Sequence, residues 1–292
     1  MVKVIKTIYL GIEAYEITNG KVSLIMLTGV GPRIISFGFI KKESVLRVAI
    51  NDFMSDEDCY KFYGGHRLWS APEDEVRSYL KDNKPCKVEV LELGIKATKI
   101  EEENGLEVSM QVEMKDNGRV RIIHTIKNLS SDCKELATWG ITQLKRGGTA
   151  IIMQDDRKTG LLPNRTLSLW DYSDLSDKRV KFSKNFIYVN QDDSVEKPFK
   201  IGTYNREGIA YYFIDGDLFT KEFDVFEGEH CDFGCNCEIY VNGEFLELES
   251  LSKLSHLHKG DEIAHTEVWS LTEKTDLMET LKTLQLKETI HA

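Results

Sequence analysis

The sequence predicts an all-β protein made of two large, mostly antiparallel sheets with few short helices. Three observations predict it. Apolar and polar residues alternate with a period of two along much of the chain, short turn signals separate these runs, and helical periodicity is scarce. Hairpins in series, rather than strands that alternate with helices, are typical of antiparallel sheets and sandwiches.

The strand pattern is clearest over residues 87–93 and 106–112, which read KVEVLEL and LEVSMQV, and it continues from Arg119 to Ile126. Alternate residues in each run are apolar, which predicts a strand with one buried face. A chain of 292 residues has room for roughly twenty strands of ordinary length, so we expect two stacked sheets.

Four Asn-Gly pairs lie between strand-like runs and predict the turns that join them. Asn and Gly tolerate the positive φ angles that two-residue hairpin turns require. The four pairs stand at residues 19–20, 104–105, 117–118 and 242–243.

Only two segments have a helical pattern. Residues 52–63 predict a short helix, and residues 276–286 predict a C-terminal helix with Leu277, Leu281 and Leu284 on one face. No low-complexity or Pro/Gly/Ser-rich linker interrupts the chain. We therefore expect a single domain over residues 1–292.

The charge of the chain restricts its partners. Lys and Arg total 38 against 48 Asp and Glu, which gives a net charge of −10. Nucleic acids and anionic membranes attract basic surfaces, so we expect neither as a partner. No run approaches the roughly 20 apolar residues of a spanning helix, and the N-terminus lacks the pattern of a signal peptide. The expectation is a soluble, cytoplasmic protein.

Three of the six cysteines stand close together, in the run from His230 to Cys237 that contains Cys231 and Cys235. Thiols at this density can bind zinc, but the spacing is Cys-x3-Cys-x-Cys and no matching pair follows. Packed, free thiols are the favoured interpretation, with a zinc site as the alternative. We expect no metal and no cofactor.

The densest group of chemically versatile side chains lies at residues 63–73, YGGHRLWSAPE. Its two glycines allow a sharp turn or close approach to a ligand. His66 can transfer a proton near neutral pH, Arg67 can donate several hydrogen bonds, and Trp69 offers a flat apolar face suited to a pyranose ring. The alternative is a glycine turn followed by a strand whose Trp packs in the core.

A second group is the run EFLELES at residues 244–250. Glu247 and Glu249 alternate with apolar residues, so both carboxylates point to one face of a strand. Two neighbouring like charges raise the pKa of at least one of them, which suits acid–base chemistry. The alternative is a solvated outer face.

Further candidates are weaker alone. Trp139 and Gln143 lie in one predicted strand, and Trp170 follows Arg165 in the next part of the chain. Indole rings can stack on a sugar but also suit ordinary sheet packing. Amide and guanidinium groups can bind its hydroxyls, and Arg33 joins Arg67 and Arg165 as a candidate to bind an anionic group.

Residues 63–73 closely resemble the signature, GGHRLWxAPE, of an uncharacterised family in the galactose mutarotase-like superfamily, related to the aldose 1-epimerases. Supporting likenesses are the segment Gly31–Ile34, the C-terminal strand segments at residues 232–238 and 245–254, and the run HTEVW at residues 265–269. The matches extend from about residue 29 to residue 270.

The resemblance implies a β-supersandwich whose concave face binds a carbohydrate. In aldose 1-epimerases of this superfamily a Glu on a late strand removes the proton of the anomeric hydroxyl, a His protonates the ring oxygen, and the opened ring closes as the other anomer. Their late-strand signature is Leu-Glu-x-Gln. The segment Leu246–Glu249 is similar, with Glu in place of Gln, so the resemblance implies Glu247 as the base.

One departure from that pattern concerns the acid. The epimerases carry their catalytic His in an Asn-His-x-x-Phe strand, and the comparable segment at residues 138–142, TWGIT, has none. His66 is the expected substitute. We therefore expect a small-molecule carbohydrate as ligand and an epimerase-like isomerase, with a non-catalytic carbohydrate-binding or sensing domain as the alternative.

Overall fold

The computed structural model describes residues 1–55, 57, 59–273, 276, 279, 282 and 283. It confirms the all-β prediction. The strands in chain order are β1 (Lys3–Tyr9), β2 (Ile12–Thr18), β3 (Val22–Leu27), β4 (Arg33–Phe39), β5 (His66–Ala71), β6 (Lys87–Val90), β7 (Gly94–Glu101), β8 (Leu106–Met114), β9 (Val120–Asn128), β10 (Lys134–Leu144), β11 (Thr149–Met153), β12 (Leu167–Leu169), β13 (Val180–Phe182), β14 (Phe186–Asn190), β15 (Phe199–Thr203), β16 (Ile209–Ile214), β17 (Asp217–Phe223), β18 (Cys237–Val241), β19 (Leu246–Leu251), β20 (Ser255–Leu257) and β21 (Glu262–Glu273).

These strands form two sheets, and paired strands run antiparallel. The first sheet has the order β1-β2-β3-β4-β5-β10-β19-β18-β15-β12, with β20 also paired to β10. The second has the order β13-β14-β11-β16-β17-β21-β9-β8-β7-β6. Strands distant in sequence, such as β5, β10 and β19, are therefore neighbours at the centre of the first sheet.

The main apolar core contains side chains from both sheets. Every second residue of a strand points into this core. In β8 these residues are Leu106, Val108, Met110 and Val112, and all four are buried. Aromatic contacts join the two sheets. The ring of Phe37 in the first sheet lies 5.6 Å from that of Trp269 in the second.

All four Asn-Gly pairs lie in turns between antiparallel neighbours, but the turns are not the predicted two-residue type. The connecting loops are residues 19–21, 102–105, 115–119 and 242–245, and no Asn among the four has a positive φ. The side chains of Asn19, Asn117 and Asn242 instead accept hydrogen bonds from backbone N–H groups of their own turns. Asn242 Oδ1 accepts hydrogen bonds from the backbone N–H groups of Glu244 and Phe245 at 2.8 and 3.0 Å, a standard Asx turn.

The predicted helix over residues 52–63 is shorter than expected and is displaced towards the N-terminus, as α1 (Ile50–Met54). A single turn, α2 (Cys231–Gly234), contains two residues with left-handed backbone angles. The helix expected over residues 276–286 lies mostly outside the described residues. In the described part of the chain, no helix is both long and apolar enough to cross a membrane.

Candidate functional site

One face of the first sheet carries two rows of side chains from adjacent strands. Directly opposed residues of antiparallel strands point to the same face. The first row runs across β15, β18, β19 and β10 as Lys200, Tyr240, Glu247 and Gln143. The second runs across β18, β19, β10 and β5 as Glu238, Glu249, Ile141 and Arg67. The fold thus brings together residues that lie up to 180 positions apart, Arg67 and Glu247.

Five residues of these rows line a pocket of about 310 Å³, called here the aromatic pocket: Arg67, Ile141, Lys200, Tyr240 and Glu247. Its lining combines aromatic rings with four charged groups and one aliphatic side chain. The lining residues are Phe62, Arg67, Trp69, Glu73, Tyr79, Trp139, Ile141, Trp170, Tyr172, Lys200, Tyr240, Phe245 and Glu247. Apolar walls with a few convergent polar groups are typical of small-molecule sites.

Three indole rings and two cations dominate the walls of the aromatic pocket. The rings of Trp69 and Trp139 contact edge to face at 5.5 Å. Arg67 lies over Trp69, with its Cζ 3.8 Å from the ring centre. The Lys200 ammonium lies 4.8 Å from the centre of Trp139 and 4.5 Å from that of Trp170. Cation–π contacts of this kind hold rings and charges in fixed positions.

Glu247 is held by a chain of hydrogen bonds. Gln143 Nε2 donates to Glu247 Oε1 at 2.8 Å, and Arg47 Nη1 donates to Gln143 Oε1 at 3.0 Å. A guanidinium only donates, so the Gln143 atom that faces Arg47 must be the oxygen and its amino group must face Glu247. Burial, and then the negative charge of Glu249, raise the pKa of Glu247 above its usual value.

Beside this carboxylate, on the same face of the sheet, lies a buried ionic triad, Lys200–Glu238–Glu249. Lys200 Nζ is 2.8 Å from Glu238 Oε2 and 3.0 Å from Glu249 Oε2, and Glu249 Oε2 also accepts from Trp139 Nε1 at 2.7 Å. Burial opposes the lysine charge, but the two carboxylates raise the pKa of Lys200 well above its ordinary value. Burial raises the pKa of Glu238 well above normal too.

Two further groups of the aromatic pocket have shifted acidities. Burial, and then the charge of Arg33, lower the pKa of Arg67 to about 10. Burial and a hydrogen bond to Glu73 raise the pKa of Tyr79 to about 12. At neutral pH the pocket therefore holds two cations, Arg67 and Lys200, and its lining also contains two carboxyl side chains, Glu73 and Glu247.

His66 does not face this pocket, which contradicts the expectation that it and Glu247 act on one ligand. Successive residues of a strand point to opposite faces, so His66 lies on the face of β5 opposite to Arg67 and Trp69. It is fully buried between the sheets. Burial lowers its pKa well below the usual value, so the imidazole is neutral at pH 7.

A directed chain of hydrogen bonds explains the position of His66. His124 Nδ1 lies 3.1 Å from the carbonyl oxygen of His265 and must donate to it, since a carbonyl only accepts. His124 Nε2 then accepts from His66 Nε2 at 2.7 Å. His66 Nδ1 in turn accepts from the hydroxyl of Thr142 at 2.9 Å. His66 is thus part of the interior structure.

The same interior network contains a fully buried ion pair. Lys221 Nζ lies 3.0 Å from Glu267 Oε1 and donates to the Thr142 hydroxyl at 3.0 Å. Ser250 and Trp269 donate to the two oxygens of Glu267, each at 2.7 Å. Among the described residues, His66, His124 and Glu267 form the group of possible metal ligands, with ligand atoms within 4.8 Å. The Lys221 ammonium already balances the charge of that carboxylate.

Two other predicted site residues lie outside the aromatic pocket. Arg33 is buried, and it donates to the carbonyls of Phe62 and Gly64 and to Asp82 at 2.7, 3.1 and 2.8 Å. It fixes the loop before β5. Arg165 is exposed and donates to the carbonyl of Asp155 at 2.7 Å. The three arginines proposed to bind an anionic group therefore do not converge, and Arg67 alone lines the pocket.

The structure does bring together Arg67, Trp69, Trp139, Trp170 and Glu247, with Gln143 and Glu249 in contact with pocket residues. Sequence reasoning missed Lys200, Tyr240, Phe245 and the loop residues Phe62, Glu73 and Tyr79. Lys200 interrupts the otherwise apolar run Phe199–Ile201. A lone lysine inside an apolar strand is the one signal that could have marked it.

The cysteines of the 230–237 run are free and buried. Burial raises the pKa of each of the three thiols, Cys231, Cys235 and Cys237, to about 12. Within the described residues they do not form a group of three metal-ligand atoms. The geometry thus gives no support to the zinc alternative.

No protein-family model and no curated protein sequence matches this chain. Solved structures do. A protein from Escherichia coli K12, provisionally an aldose 1-epimerase, aligns with a TM-score of 0.60 at 10% identity over 89% of this chain and 99% of its own. A galactose mutarotase-like protein from Clostridium acetobutylicum aligns with a TM-score of 0.57 at 10% identity over 93% and 99%.

The galactose 1-epimerase of Lactobacillus acidophilus NCFM aligns with a TM-score of 0.56 at 11% identity over 94% of this chain and 99% of its own. The chain has the galactose mutarotase-like fold. Identities this low establish the fold alone, and the reaction has to be argued from the residues of the pocket.

Proposed function

We propose that the chain binds a carbohydrate in the aromatic pocket and interconverts its anomers, with Glu247 as the general base. The observation that carries the proposal is the position of Glu247. Its carboxylate lies in a pocket walled by Trp69, Trp139 and Trp170 and is fixed by Gln143. Indole faces suit the C–H faces of a pyranose, and a raised carboxylate pKa suits proton removal near neutral pH.

In the proposed reaction Glu247 takes the proton of the anomeric hydroxyl. The C1–O bond of the ring breaks, the C1 carbonyl forms, and negative charge develops on the ring oxygen. Arg67 and Lys200 line the same pocket and stabilise that charge while a solvent water molecule protonates the ring oxygen, and the hydroxide that remains takes this proton back when the ring closes. Rotation about C1–C2 and the reverse steps give the other anomer.

A second candidate is a protein that binds a carbohydrate without changing it. The observation that favours it is the burial of His66 on the opposite face of β5, because the described lining of the aromatic pocket then contains no histidine to act as an acid. Binding by aromatic stacking needs no proton transfer.

Exchange spectroscopy by NMR separates the two candidates. The exchange rate between α and β anomers is measured for a panel of free aldoses with the wild-type protein, Glu247→Gln and Trp69→Ala. The first candidate predicts catalysed exchange with at least one sugar, reduced by roughly a hundredfold or more in Glu247→Gln, with binding retained. Equal rates for wild type and Glu247→Gln across the panel contradict it.

Binding is measured on the same samples by calorimetry. Both candidates predict that Trp69→Ala weakens binding by about tenfold or more, since it removes a stacking face. The second candidate predicts sugar binding that survives Glu247→Gln without any catalysed exchange. If no sugar of the panel binds the wild-type protein, both candidates are wrong.

A further inference from the structure

A second, larger depression adjoins the aromatic pocket. This groove has a volume of about 900 Å³, about three times that of the pocket. It shares two lining residues with the pocket, Phe62 and Phe245. Its other lining residues include Arg47, Asn51, Lys145, Arg146 and Glu244. The two depressions therefore meet at a pair of aromatic rings.

The groove has the chemistry of a site for hydroxyl groups. Its cations are matched by carboxylates. Arg47 pairs with Glu244 at 2.7 Å, Lys145 with Asp215 at 2.7 Å, and Arg146 lies 3.9 Å from Asp193. Balanced donors and acceptors suit the hydroxyls of a neutral saccharide better than a polyanion, which binds where positive charge is in excess.

The boundary between the two depressions carries a guanidinium group stacked on an aromatic ring. The guanidinium of Arg47 lies over the ring of Phe245, with its Cζ 4.4 Å from the ring centre. The same guanidinium donates to Gln143, the residue that holds Glu247. A ligand that crosses from the pocket to the groove passes along this Arg47–Phe245 pair, in contact with residues that position the proposed base.

We propose that the groove is a second saccharide subsite, so that the ligand is a neutral di- or oligosaccharide rather than a monosaccharide. This inference rests on the proposed function, because proton removal by Glu247 requires the reducing-end residue to occupy the aromatic pocket. The next sugar residue then lies beyond Phe245 and Phe62, in the groove. The aromatic pocket alone is at the small end of the range for ligand sites, whereas pocket and groove together fit a longer ligand.

Calorimetric titration with matched pairs of sugars tests this. The pairs are glucose with maltose and with cellobiose, mannose with β-1,4-mannobiose, galactose with β-1,4-galactobiose, and xylose with xylobiose. In at least one pair the disaccharide is expected to bind the wild-type protein tenfold or more tightly than its monosaccharide, the gain typical of a few added contacts.

A groove-blocking variant identifies the source of that gain. Asn51 is exposed on α1 and lines the groove but not the pocket. Asn51→Trp should abolish the advantage of the disaccharide and leave monosaccharide affinity within about twofold. Glu103→Trp places the same bulk on an exposed turn that lines neither depression and should keep the wild-type advantage.

The results distinguish failure of this inference from failure of the proposed function. If each monosaccharide binds as tightly as its matched disaccharide, the proposal of a second subsite is wrong. The proposed function of the aromatic pocket is unaffected by that result. A disaccharide advantage that survives Asn51→Trp also overturns it, since the added contacts then lie elsewhere. If no sugar of either size binds, the proposed function and this inference are both wrong.

Discussion

At the scale of single residues, Gln143 fixes the position of the Glu247 carboxylate, the proposed base. Its amide is fixed in one orientation by Arg47 and donates to one oxygen of Glu247. That hydrogen bond favours the ionised carboxylate and opposes the effect of burial and of Glu249 on its pKa. Gln143 thus acts through Glu247, as a positioning residue, and its removal should change proton transfer more than sugar binding.

We expect Gln143→Leu to slow anomer exchange by roughly tenfold or more at pH 7, the effect of losing one hydrogen bond to a charged group. The pKa of Glu247 should rise, because the bond lost was to the ionised form. A base acts when deprotonated, so the acid limb of the rate profile should move to higher pH. The measurement is the exchange rate by NMR between pH 4 and pH 9.

Gln111→Leu is the matched control, since Gln111 lies on β8 in the second sheet and should leave the profile unchanged. A loss of activity in Gln143→Leu without any movement of the acid limb contradicts the positioning role. It then indicates that the side chain contributes only to the shape of the pocket.

At the scale of elements, β10 is the strand that serves both the site and the interior. Trp139, Ile141 and Gln143 face the aromatic pocket side, while Gly140 and Thr142 face the space between the sheets. Gly140 has to be small. A Cβ at this position would contact the carboxylate of Glu267, with His66 and Ser250 each 3.3 Å away. The strand can approach the buried ion pair only because this residue has no side chain.

We expect Gly140→Ala to lower the free energy of unfolding by about 2 kcal/mol or more, the usual cost of forcing an extra carbon into a packed interior. Urea unfolding followed by circular dichroism measures it. Thr138→Val is the control on the same strand and face, because the buried Thr138 hydroxyl has no hydrogen-bond partner among the residues that the structure describes and its loss should cost little. Equal stability of Gly140→Ala and wild type would show that the network moves aside easily.

The positions of the strands, and the face on which each side chain lies, can largely be predicted from the sequence. Period-two alternation identifies strands such as β8 because one face of each is buried. The same rule separates His66 from Arg67 and Trp69, since neighbours in a strand point to opposite faces. The expectation that His66, Arg67 and Trp69 all serve one ligand did not apply that rule. The strand β5 begins at His66 itself, directly after the two glycines.

Pairing between strands cannot be read from the sequence in the same way. Lys200 reaches Glu238 and Glu249 because β15, β18 and β19 are adjacent, and nothing local to residue 200 specifies that order. The aromatic loop residues Phe62 and Tyr79 depend likewise on how their loops cover the sheet. The resemblance at residues 246–249 located Glu247, whereas its partner Gln143 is set by the register of β10 and β19.

At the scale of the whole molecule, polar residues buried between the two sheets link stability to pH. His66, His124 and His265 are fully buried, and burial lowers the pKa of each. The unfolded chain therefore binds protons below pH 6.5 that the folded chain does not. The free energy of unfolding should fall as the pH falls through this range. The buried carboxyl of Glu238, whose pKa is raised, contributes with the opposite sign.

His265 allows one of these contributions to be isolated, because neither of its ring nitrogens has a well-formed hydrogen bond to the described part of the chain. Burial, and then His124, lower its pKa to about 3. Between pH 7.5 and pH 5 the unfolded state therefore gains nearly one proton at this residue. This uptake lowers the free energy of unfolding by about 2 kcal/mol. His265→Phe removes the group that takes up this proton. It keeps an aromatic ring beside Phe223 and Phe226, the two rings that contact His265.

We expect the loss of unfolding free energy from pH 7.5 to pH 5, measured by urea titration, to be smaller in His265→Phe than in wild type by about 2 kcal/mol. His66 and His124 remain, so part of the pH dependence should persist in the variant. Phe223→Leu perturbs the same contact without a titratable group and should change stability equally at both pH values. If His265→Phe and wild type lose the same free energy, His265 takes up its proton in the folded state, and the interior between the sheets admits a charge that its burial argues against.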